Sequence, residues 1–503
     1  MKKRNRGQIS VYVCAMLGVF LILLVTILQG IRIWEGKAKC AQAVSGVVDS
    51  IKGDYQPDLF RRYHLFALDK TYYGKGEGYL EERAIEYLNY NLNPSQSIYD
   101  YQVQEVALTN TVSLTENNLS LFKKQIQEYM ELKLPINLLE EILNLSDVES
   151  LENQEEFLTT QWNFLSNGTK KRKNPLAFDL GISQGDIETL ENLIDPRKAM
   201  EDALQSGILY VVMPEQVEEI SREAQDFSKA PSSEAGMYME NWENPFSIQE
   251  WNQMEQWNQL EPWEVDKQFD SDMCSSVGTQ DLYGIAYALD SFQYAGNAFE
   301  DEEYHALEYE VEYLIAGKNS DYANMTEVAE RICLMRFVTN GAYAFSNETM
   351  QEEALLLAAV LLTPVGLAEA AEPVSYVLLA CWAYGESLLD VKALLQGESV
   401  PIIKDKDTWQ LSLNGLMDIA TEEVSGTETE LGDLNYESYL ILLLAMTPDT
   451  DMKYYRMLDI MQWNIQEDIP EFGIEHCICG FQLQVEIVES EYVWHIETEG
   501  SYY

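Results

Sequence analysis

The sequence has few of the residues that build disulfide frameworks and metal centres. Its 503 residues include seven cysteines and four histidines, and the cysteine spacing matches no disulfide framework. Cys477 and Cys479 follow His476 two residues apart, which would place both thiols on one face of a strand. A tetrahedral metal site would need a second pair of ligands at suitable spacing, and the sequence has none. We therefore predict no metal and no cofactor.

Basic residues are also scarce. Lysine and arginine together number 33, against 84 aspartates and glutamates, which gives a formal net charge of −51. Such a charge repels nucleic-acid phosphates and anionic lipid headgroups, so nucleic acid is excluded as a partner. Apolar residues make up 46% of the chain and aromatic residues 11%. That composition predicts a folded protein rather than a disordered one.

Catalytic motifs are missing or lack the context that they need. The sequence contains no HExxH, EF-hand loop or Walker motif. The stretch GISQG at residues 181–185 fits GxSxG, but a nucleophile elbow follows a buried strand, and residues 174–179 do not have a strand pattern. Ser183 fits the N-cap of a helix instead. We predict no catalytic residue; a tethered serine hydrolase that uses Ser183 is the least favoured alternative.

One long apolar run stands out against these absences. No residue from Val11 to Leu28 is charged. Residues 8–33 are long enough for a helix that spans the roughly 30 Å hydrocarbon core of a bilayer, and we assign them as a transmembrane helix. The residues predicted to anchor this helix in lipid are Val11, Leu17, Phe20, Leu24 and Leu28.

This run has three interpretations: a cleaved signal peptide, a retained anchor and a prepilin-like leader. A cleavable signal has an apolar core of roughly 7–15 residues and a small-x-small site soon after it. Here the first such site, Ala41-Gln42-Ala43, lies beyond several charges, so we prefer retention. Basic residues before the run would then hold the N-terminus in the cytoplasm and place the bulk of the chain outside. These topology-setting residues are Lys2, Lys3, Arg4 and Arg6.

The prepilin interpretation depends on Gly7. A prepilin leader ends in a glycine that follows basic residues, and Gly7 meets that condition. The fifth residue after it is Tyr12, where pilins carry a glutamate. Gly7 is therefore a candidate peptidase site whose processing the sequence leaves open.

A second helical pattern follows the apolar run. Apolar or small residues recur at steps of three and four from Ile33 to Ile51, which predicts that the helix continues as an extracytoplasmic stem and ends at Lys52-Gly53-Asp54. The stripe suits packing on the protein's own outer domain or on a partner helix. Small side chains permit close helix approach. The candidate packing residues are Gly18, Gly30, Ala38, Ala41, Val44 and Val48.

β patterns occur near both ends of the remaining chain. DLFRRYHLFALD at residues 58–69 has the pattern of a short strand, and residues 101–114 that of a longer one. Period-two alternation on both sides of Glu489-Ser490 predicts an antiparallel hairpin, which could pair with the 101–114 strand in one small sheet. Helical patterns dominate elsewhere, so the predicted fold class is helix-rich α+β.

A hydrophobic run at residues 352–397 resembles a second membrane span. Pro364, Gly366 and Pro373 divide it into pieces of about ten to fourteen residues, which are too short to cross a bilayer. We predict a buried helical hairpin here.

Residues 231–272 differ from their surroundings because they are strongly acidic and rich in tryptophan. Exposed tryptophans stack on sugars, so a binding site for a glycan or host ligand is one interpretation. Tryptophans that attach a long insertion to its own domain are the commoner case, since each aromatic side chain buries roughly 150–250 Å². The tryptophans concerned are Trp242, Trp251, Trp257 and Trp263.

These patterns give a predicted order of segments along the chain. It comprises a cytoplasmic basic tip (1–7), the transmembrane helix (8–33), the stem helix (34–55), a first part of the ectodomain (56–230), the acidic insertion or linker (231–272) and a second part that ends in the hairpin (273–503).

Several stretches together carry a resemblance to a known family. They are the basic tip with GQISV (7–11) and the membrane helix, RRYHLFALD (61–69), LEYEVEYLIAGKNSDYANM (307–325), CWAYGESLLDVKALLQGESVPIIKDKDTWQLSL (381–413) and YYRMLDIMQWNI (454–465) before the hairpin. In this combination and order the chain resembles the TadE/TadG-like proteins that accompany tight-adherence (Flp) pilus gene clusters in Gram-positive, Clostridia-like bacteria.

The resemblance implies a membrane-anchored, non-enzymatic, pilin-like accessory component of a Tad/Flp-type pilus or secretion assembly. Its implied partners are the lipid bilayer and other pilus or secretion-platform proteins. No functional residue of that family is carried over to this chain. A surface-tethered protein that binds a glycan or host ligand is the alternative from a different class.

Overall fold

Two compact units make up the part of the chain that the structure describes. The computed structural model describes residues 6–76, 78–93, 100–133, 200, 203–236, 279–297, 304–363, 366, 371–419, 433–447 and 450–502. The terminal unit comprises Met1–Gln125 and Ile465–Tyr503, and the central unit comprises Ile126–Asn464. Both boundaries fall inside helices.

Helices outnumber strands among these residues, as the sequence predicted. The helices are α1 (Arg6–Gly53), α2 (Pro57–Tyr63), α3 (Tyr79–Leu92), α4 (Ser120–Lys133), α5 (Leu209–Val212), α6 (Pro231–Glu234), α7 (Thr279–Ser291), α8 (Glu310–Ala316), α9 (Asp321–Ser346), α10 (Glu348–Leu362), α11 (Ala371–Leu395), α12 (Tyr436–Ala445) and α13 (Thr450–Gln466). The strands are β1 (Leu68–Asp69), β2 (Gln102–Ser113), β3 (Val400–Pro401), β4 (Asp433–Leu434), β5 (Cys477–Glu489) and β6 (Tyr492–Ser501). The α+β fold class is confirmed.

β5 is the central strand of a four-stranded antiparallel sheet in the terminal unit. It pairs with β2 from Val488, opposite Gln102, to Ile478, opposite Ser113. It also pairs with β6 along most of its length and with β1 at its start. The predicted hairpin, and its pairing with the 101–114 strand, are therefore confirmed.

Residues 57–63 form α2, so the strand predicted for DLFRRYHLFALD is wrong over most of its length. Pro57 lies in the first turn, where a helix needs no N–H, and the Gln56 side chain accepts hydrogen bonds from two of the first backbone N–H groups. His64 ends the helix in a left-handed conformation. These local caps outweigh the β pattern, and only β1 at the end of the stretch pairs as a strand.

The second half of α1 packs on the terminal unit. Cys40, Val44, Val47 and Ile51 are fully buried, in a cluster that includes apolar side chains of α3 and of the sheet. Burial of apolar side chains of this kind stabilises a fold by about 1.5–3 kcal/mol each. Of the two partners suggested for the stripe, the protein's own domain is the one in contact with it here.

The hydrophobic run at 352–397 forms a helical hairpin, α10 and α11, in the central unit. α11 packs against both α9 and α10, and most of its side chains are buried. The prediction of pieces of ten to fourteen residues is wrong for α11, which has 25 residues. Pro373 does not break this helix because it lies in the first turn, where the missing N–H has no intrahelical partner to lose.

The predicted boundaries within the ectodomain stay a prediction. The terminal unit combines residues from the beginning of the chain with Ile465–Tyr503. Residues 1–5 of the predicted tip and 237–272 of the acidic stretch lie outside the described residues.

Candidate membrane anchor and its junction with the terminal unit

The first half of α1 exposes apolar side chains on all sides. Among the helices that the structure describes, only α1 is long and apolar enough to cross a membrane. Its most apolar 18-residue window has a mean hydropathy of 2.9, and none of that window is buried. The predicted anchor residues are all exposed: Val11, Leu17, Phe20, Leu24 and Leu28. A contiguous apolar surface of this size is unfavourable in water and suits a lipid environment.

A short junction separates this exposed segment from the buried half of α1. The Arg32 guanidinium pairs with the carboxylate of Glu489, the last residue of β5, whose side chain is 5% exposed. Four residues further along, Gly36 is buried against Trp494 of β6. A Cβ on Gly36 would lie 2.9 Å from Trp494 Cζ2, closer than such atoms approach in folded proteins. The absence of a side chain at Gly36 therefore makes room for the indole ring.

A second close contact at a glycine supports the same packing further along α1, at Val48. A Cβ on Gly500 of β6 would lie 2.7 Å from Val48 Cγ1. Between these contacts, Lys39 Nζ donates a hydrogen bond of 3.1 Å to the carbonyl oxygen of Leu92 at the end of α3. The sheet and α3 thus pack on α1 from Gly36 onward. These contacts fix the orientation of the sheet and α3 relative to α1.

The topology-setting and peptidase candidates lie at the start of α1 or before it. Lys2, Lys3 and Arg4 lie outside the described residues. Arg6 and Gly7 are in the first turn of α1.

The six candidate packing residues have different surroundings. Val44 and Val48 are buried in the terminal unit. Ala38 and Ala41 are exposed on α1. At Gly18 and Gly30, no atom lies within 4 Å of the place where a Cβ would stand.

Sequence reasoning missed the partners at the junction. Arg32 and Glu489 are 457 positions apart, and nothing in the local pattern pairs them. The period-two alternation of the hairpin places Trp494 on the inward face, and this is the signal that points to its burial. It does not reveal that a helical glycine lies opposite.

A buried ion network joins α9, α11 and the segment after β3 in the central unit. Arg336 Nε donates to Asp390 Oδ2 at 2.9 Å, and Lys404 Nζ lies 2.6 Å from Asp390 Oδ1. Lys404 also pairs with Glu386. All four side chains are at most 1% exposed. The network contains two basic and two acidic groups; burial raises the pKa of Glu386, and the positive charge of Lys404 opposes this shift.

The carboxylates of this network have their hydrogen-bonding partners inside the protein. Glu386 also accepts hydrogen bonds from the backbone N–H groups of Gln410 and Leu411. Burial opposes ionisation of Asp390, but the charges of Arg336 and Lys404 hold the pKa of its carboxyl below the ordinary value. The arrangement links α9 and α11 to the segment after β3.

Other carboxyls of the central unit are buried and have raised pKa values. Glu312 Oε1 accepts hydrogen bonds from the Ala295 N–H at 3.0 Å and from the Tyr436 hydroxyl at 2.8 Å, while Oε2 accepts no hydrogen bond from the described residues. Burial raises the pKa of Glu312 to about 7. Burial likewise raises the pKa of Asp321 and of Asp459 to about 6 each.

The other chemical candidates from the sequence are partly outside the described residues, and those inside them form no metal site. Within the ranges that the structure describes, no three His, Cys, Asp or Glu side chains are grouped to hold a metal ion. Cys477 and Cys479 are buried in β5, and burial raises the pKa of both thiols. Ser183 and the tryptophans of 231–272 lie outside the described residues.

Comparison with known proteins identifies a family but no activity. Residues 187–488 match DUF5702, which is described as a family of unknown function. The matched region excludes α1 and includes most of β5. No curated protein and no solved structure matches the sequence. Because the match covers more than half of the chain, the protein belongs to the DUF5702 family.

Proposed function

We propose that this protein is a single-pass membrane protein without enzymatic activity, in which α1 is a retained anchor. The observation that carries the proposal is the contrast within one unbroken helix. Within the described part of the chain, none of the most apolar window of α1 is buried, whereas one face of the helix from Gly36 onward belongs to the core of the terminal unit. The helix therefore connects a lipid-compatible surface directly to a folded unit.

The packing of α1 supports retention over cleavage. A signal peptidase that cut after Ala43 would remove Gly36, Cys40 and Ala43 itself from the buried face, together with Arg32, the partner of Glu489. Removal of buried side chains typically costs a few kcal/mol each, a large part of the stability of a domain. Only an uncleaved chain retains these residues in the core of the terminal unit.

Charge asymmetry supports an orientation with the N-terminus in the cytoplasm. Lys2, Lys3, Arg4 and Arg6 precede the apolar run, and clusters of lysine and arginine next to a span favour the cytoplasmic side. The bulk of the chain would then be extracytoplasmic.

Membrane extraction and N-terminal sequencing of the full-length protein test the anchor. We expect the protein to resist extraction by alkaline carbonate and to retain its sequence upstream of Arg32. In a variant with Phe20→Arg and Leu24→Arg, the charges should prevent stable insertion and release the protein from the membrane. The matched control, Phe20→Leu with Leu24→Ile, should remain in the membrane. Recovery of a wild-type chain that begins after Ala43, free of the membrane, would overturn the proposal.

We further propose that the protein is an accessory component of a Tad/Flp-type pilus or secretion assembly. The support for this assignment is the resemblance to TadE/TadG-like proteins in the sequence stretches quoted above. The anchor and the large ectodomain suit a component that joins a membrane platform to extracytoplasmic subunits.

Cross-linking in the native host tests this assembly role. After detergent extraction of cross-linked cells, we expect the tagged full-length protein to co-purify with a secretion ATPase or integral platform protein of a Tad/Flp-type system. A strain without the gene should lose or reduce its pili. Normal piliation together with an absence of platform proteins in the purified complex would refute the role and leave the anchor intact.

A further inference from the structure

The first charge after the apolar run marks where the membrane would end on α1. The charge-free stretch runs from Gly7 to Ile31, and its last 21 residues, at about 1.5 Å each in a helix, span about 32 Å. The hydrocarbon core of a bilayer is about 30 Å thick. Arg32 therefore lies at the boundary between hydrocarbon and headgroups, on the side of the folded unit.

The packed part of the terminal unit begins at that boundary without an intervening stalk. Glu489, at the turn between β5 and β6, pairs with Arg32 itself. Trp494 packs on Gly36, which is four residues, or about 6 Å, beyond Arg32 along the helix. The headgroup layer on each side of a bilayer is about 5–8 Å thick, so it would reach the hairpin turn.

We propose that this end of the terminal unit is embedded in the headgroup layer, so that the unit rests on lipid in a fixed orientation. We call this surface the lipid-facing edge, and we define it by Trp34, the Ser490–Glu491 turn and Val493. The proposal rests on the proposed function, because it requires α1 to span the bilayer. It replaces a free-standing stem with a domain seated on the membrane.

The side chains of the lipid-facing edge suit the headgroup layer. Trp34 is 74% exposed and Val493 is 50% exposed. Tryptophan is enriched at membrane interfaces, where its ring contacts acyl chains while its N–H meets polar groups. Ile31 and Ile33, which precede Trp34 on α1, are also exposed.

The charge near this edge is less one-sided than that of the whole chain. Three basic residues of α1, Arg32, Lys37 and Lys39, lie near the acidic residues Glu35, Glu489 and Glu491 of α1 and the hairpin and Asp100 before β2, whose Gln102 pairs with Val488. The whole chain carries a net charge of −51, which would repel an anionic membrane. With three basic residues against four acidic ones, this edge is the part of the terminal unit better suited to approach headgroups.

Site-specific fluorescence quenching in vesicles tests the lipid-facing edge. The full-length protein, with Cys14→Ser and Cys274→Ser, is reconstituted into vesicles of phosphatidylcholine and phosphatidylglycerol. A fluorophore is attached at Val493→Cys, and nitroxide lipids report its depth. Glu499→Cys is the matched control, because Glu499 is exposed on the same face of β6, six residues or about 20 Å further along the strand. Phe20→Cys reports on the anchor.

The proposal predicts that a headgroup nitroxide quenches the label at Val493→Cys several-fold more strongly than the label at Glu499→Cys. The label at Phe20→Cys should be quenched by nitroxides on the acyl chains. If Phe20→Cys is quenched but Val493→Cys is quenched no more than Glu499→Cys, the lipid-facing edge is refuted and the anchor stands. If in addition aqueous iodide cannot reach the Val493→Cys label, a protein covers the edge instead of lipid. If the Phe20→Cys label is not quenched, the anchor itself is refuted.

Discussion

Gly36 of α1 lies against the indole of Trp494 in β6, and only 2.9 Å would separate Trp494 Cζ2 from a Cβ on the glycine. Helix and strand approach this closely because Gly36 has no side chain. The contact marks the point at which α1 changes from an exposed apolar helix to a component of a folded unit.

We predict that Gly36→Ala destabilises the terminal unit. Alanine favours a helix over glycine by about 1 kcal/mol, but the new methyl group would collide with a ring that is 7% exposed and has little room to move. Overpacking of this kind costs about 1–3 kcal/mol, so we expect a net loss. Hydrogen exchange of the β6 amides in detergent-solubilised protein would measure it.

Gly46→Ala is the matched control on the same helix. Its Cβ would meet Asn91 Nδ2 at 3.8 Å, which is an ordinary contact. We expect no loss of stability, or a gain of up to about 1 kcal/mol from helix propensity. Equal exchange rates in the Gly36→Ala variant and the wild type would contradict the packing described for Trp494.

The pair between Arg32 and Glu489 should contribute measurably to the attachment of the hairpin. The Glu489 side chain is 5% exposed and that of Arg32 is 43% exposed, so solvent screens only one partner strongly. We expect a double-mutant cycle of Arg32→Gln and Glu489→Gln to give a coupling free energy of about 1 kcal/mol. Urea unfolding of the four proteins in one detergent would provide the values. Additive losses would show that the two side chains do not interact.

The buried network of the central unit should be sensitive to the loss of one charge. Lys404→Met leaves Glu386 and Asp390 close together with only Arg336 to compensate them. Removal of one member of a buried ion pair typically costs about 3–5 kcal/mol. We expect the free energy of unfolding, measured by urea denaturation, to fall by that amount.

Lys406→Met is the control for this variant, because Lys406 is two positions away and exposed. It should change the stability by less than about 0.5 kcal/mol. A similar small effect of Lys404→Met would show that the network adds little to the fold.

The stability of the central unit should fall as the pH rises from about 5 to 7. Burial raises the pKa of Glu312 from its ordinary 4.5 to about 7. Between these values the folded state keeps a proton that the unfolded state has released, so the free energy of unfolding decreases with increasing pH. The raised pKa values of Asp321 and Asp459 act in the same direction.

Glu312→Gln should flatten this pH dependence, because the amide does not titrate. Its remaining oxygen can still accept hydrogen bonds from Ala295 and Tyr436. The exposed Glu348→Gln serves as the control and should leave the slope unchanged. Urea unfolding from pH 5 to pH 8 gives the slopes, and identical slopes for Glu312→Gln and wild type would contradict the assignment.

The sequence predicted the features that depend on local periodicity. The helical spacing from Ile33 to Ile51 correctly predicted that α1 continues beyond the apolar run and where it ends. The alternation around Glu489-Ser490 correctly predicted the hairpin. Local capping caused the main error in the terminal unit, since Gln56 and Pro57 start a helix where the pattern suggested a strand. The predicted length of α11 was wrong because Pro373 lies in the first turn, where a helix accepts proline.

Contacts between distant segments were beyond such reasoning. The pairing of Arg32 with Glu489, and of Gly36 with Trp494, depends on how α1 lies across the sheet. A single sequence records which residues are apolar or charged, but not which of 84 acidic residues lies opposite a given arginine. The buried ion network was missed for the same reason, since its charges look like surface residues in the sequence.

The separation of 457 positions between Arg32 and Glu489 also delays the completion of the terminal unit during synthesis of the chain. Translation proceeds at about 5–20 residues per second, so some tens of seconds pass between the synthesis of α1 and that of β5. Throughout this interval the face of α1 that carries Val44 and Ile51 has no sheet to cover it. A chain interrupted before β5 would therefore contain α1 but lack the sheet on which that face packs.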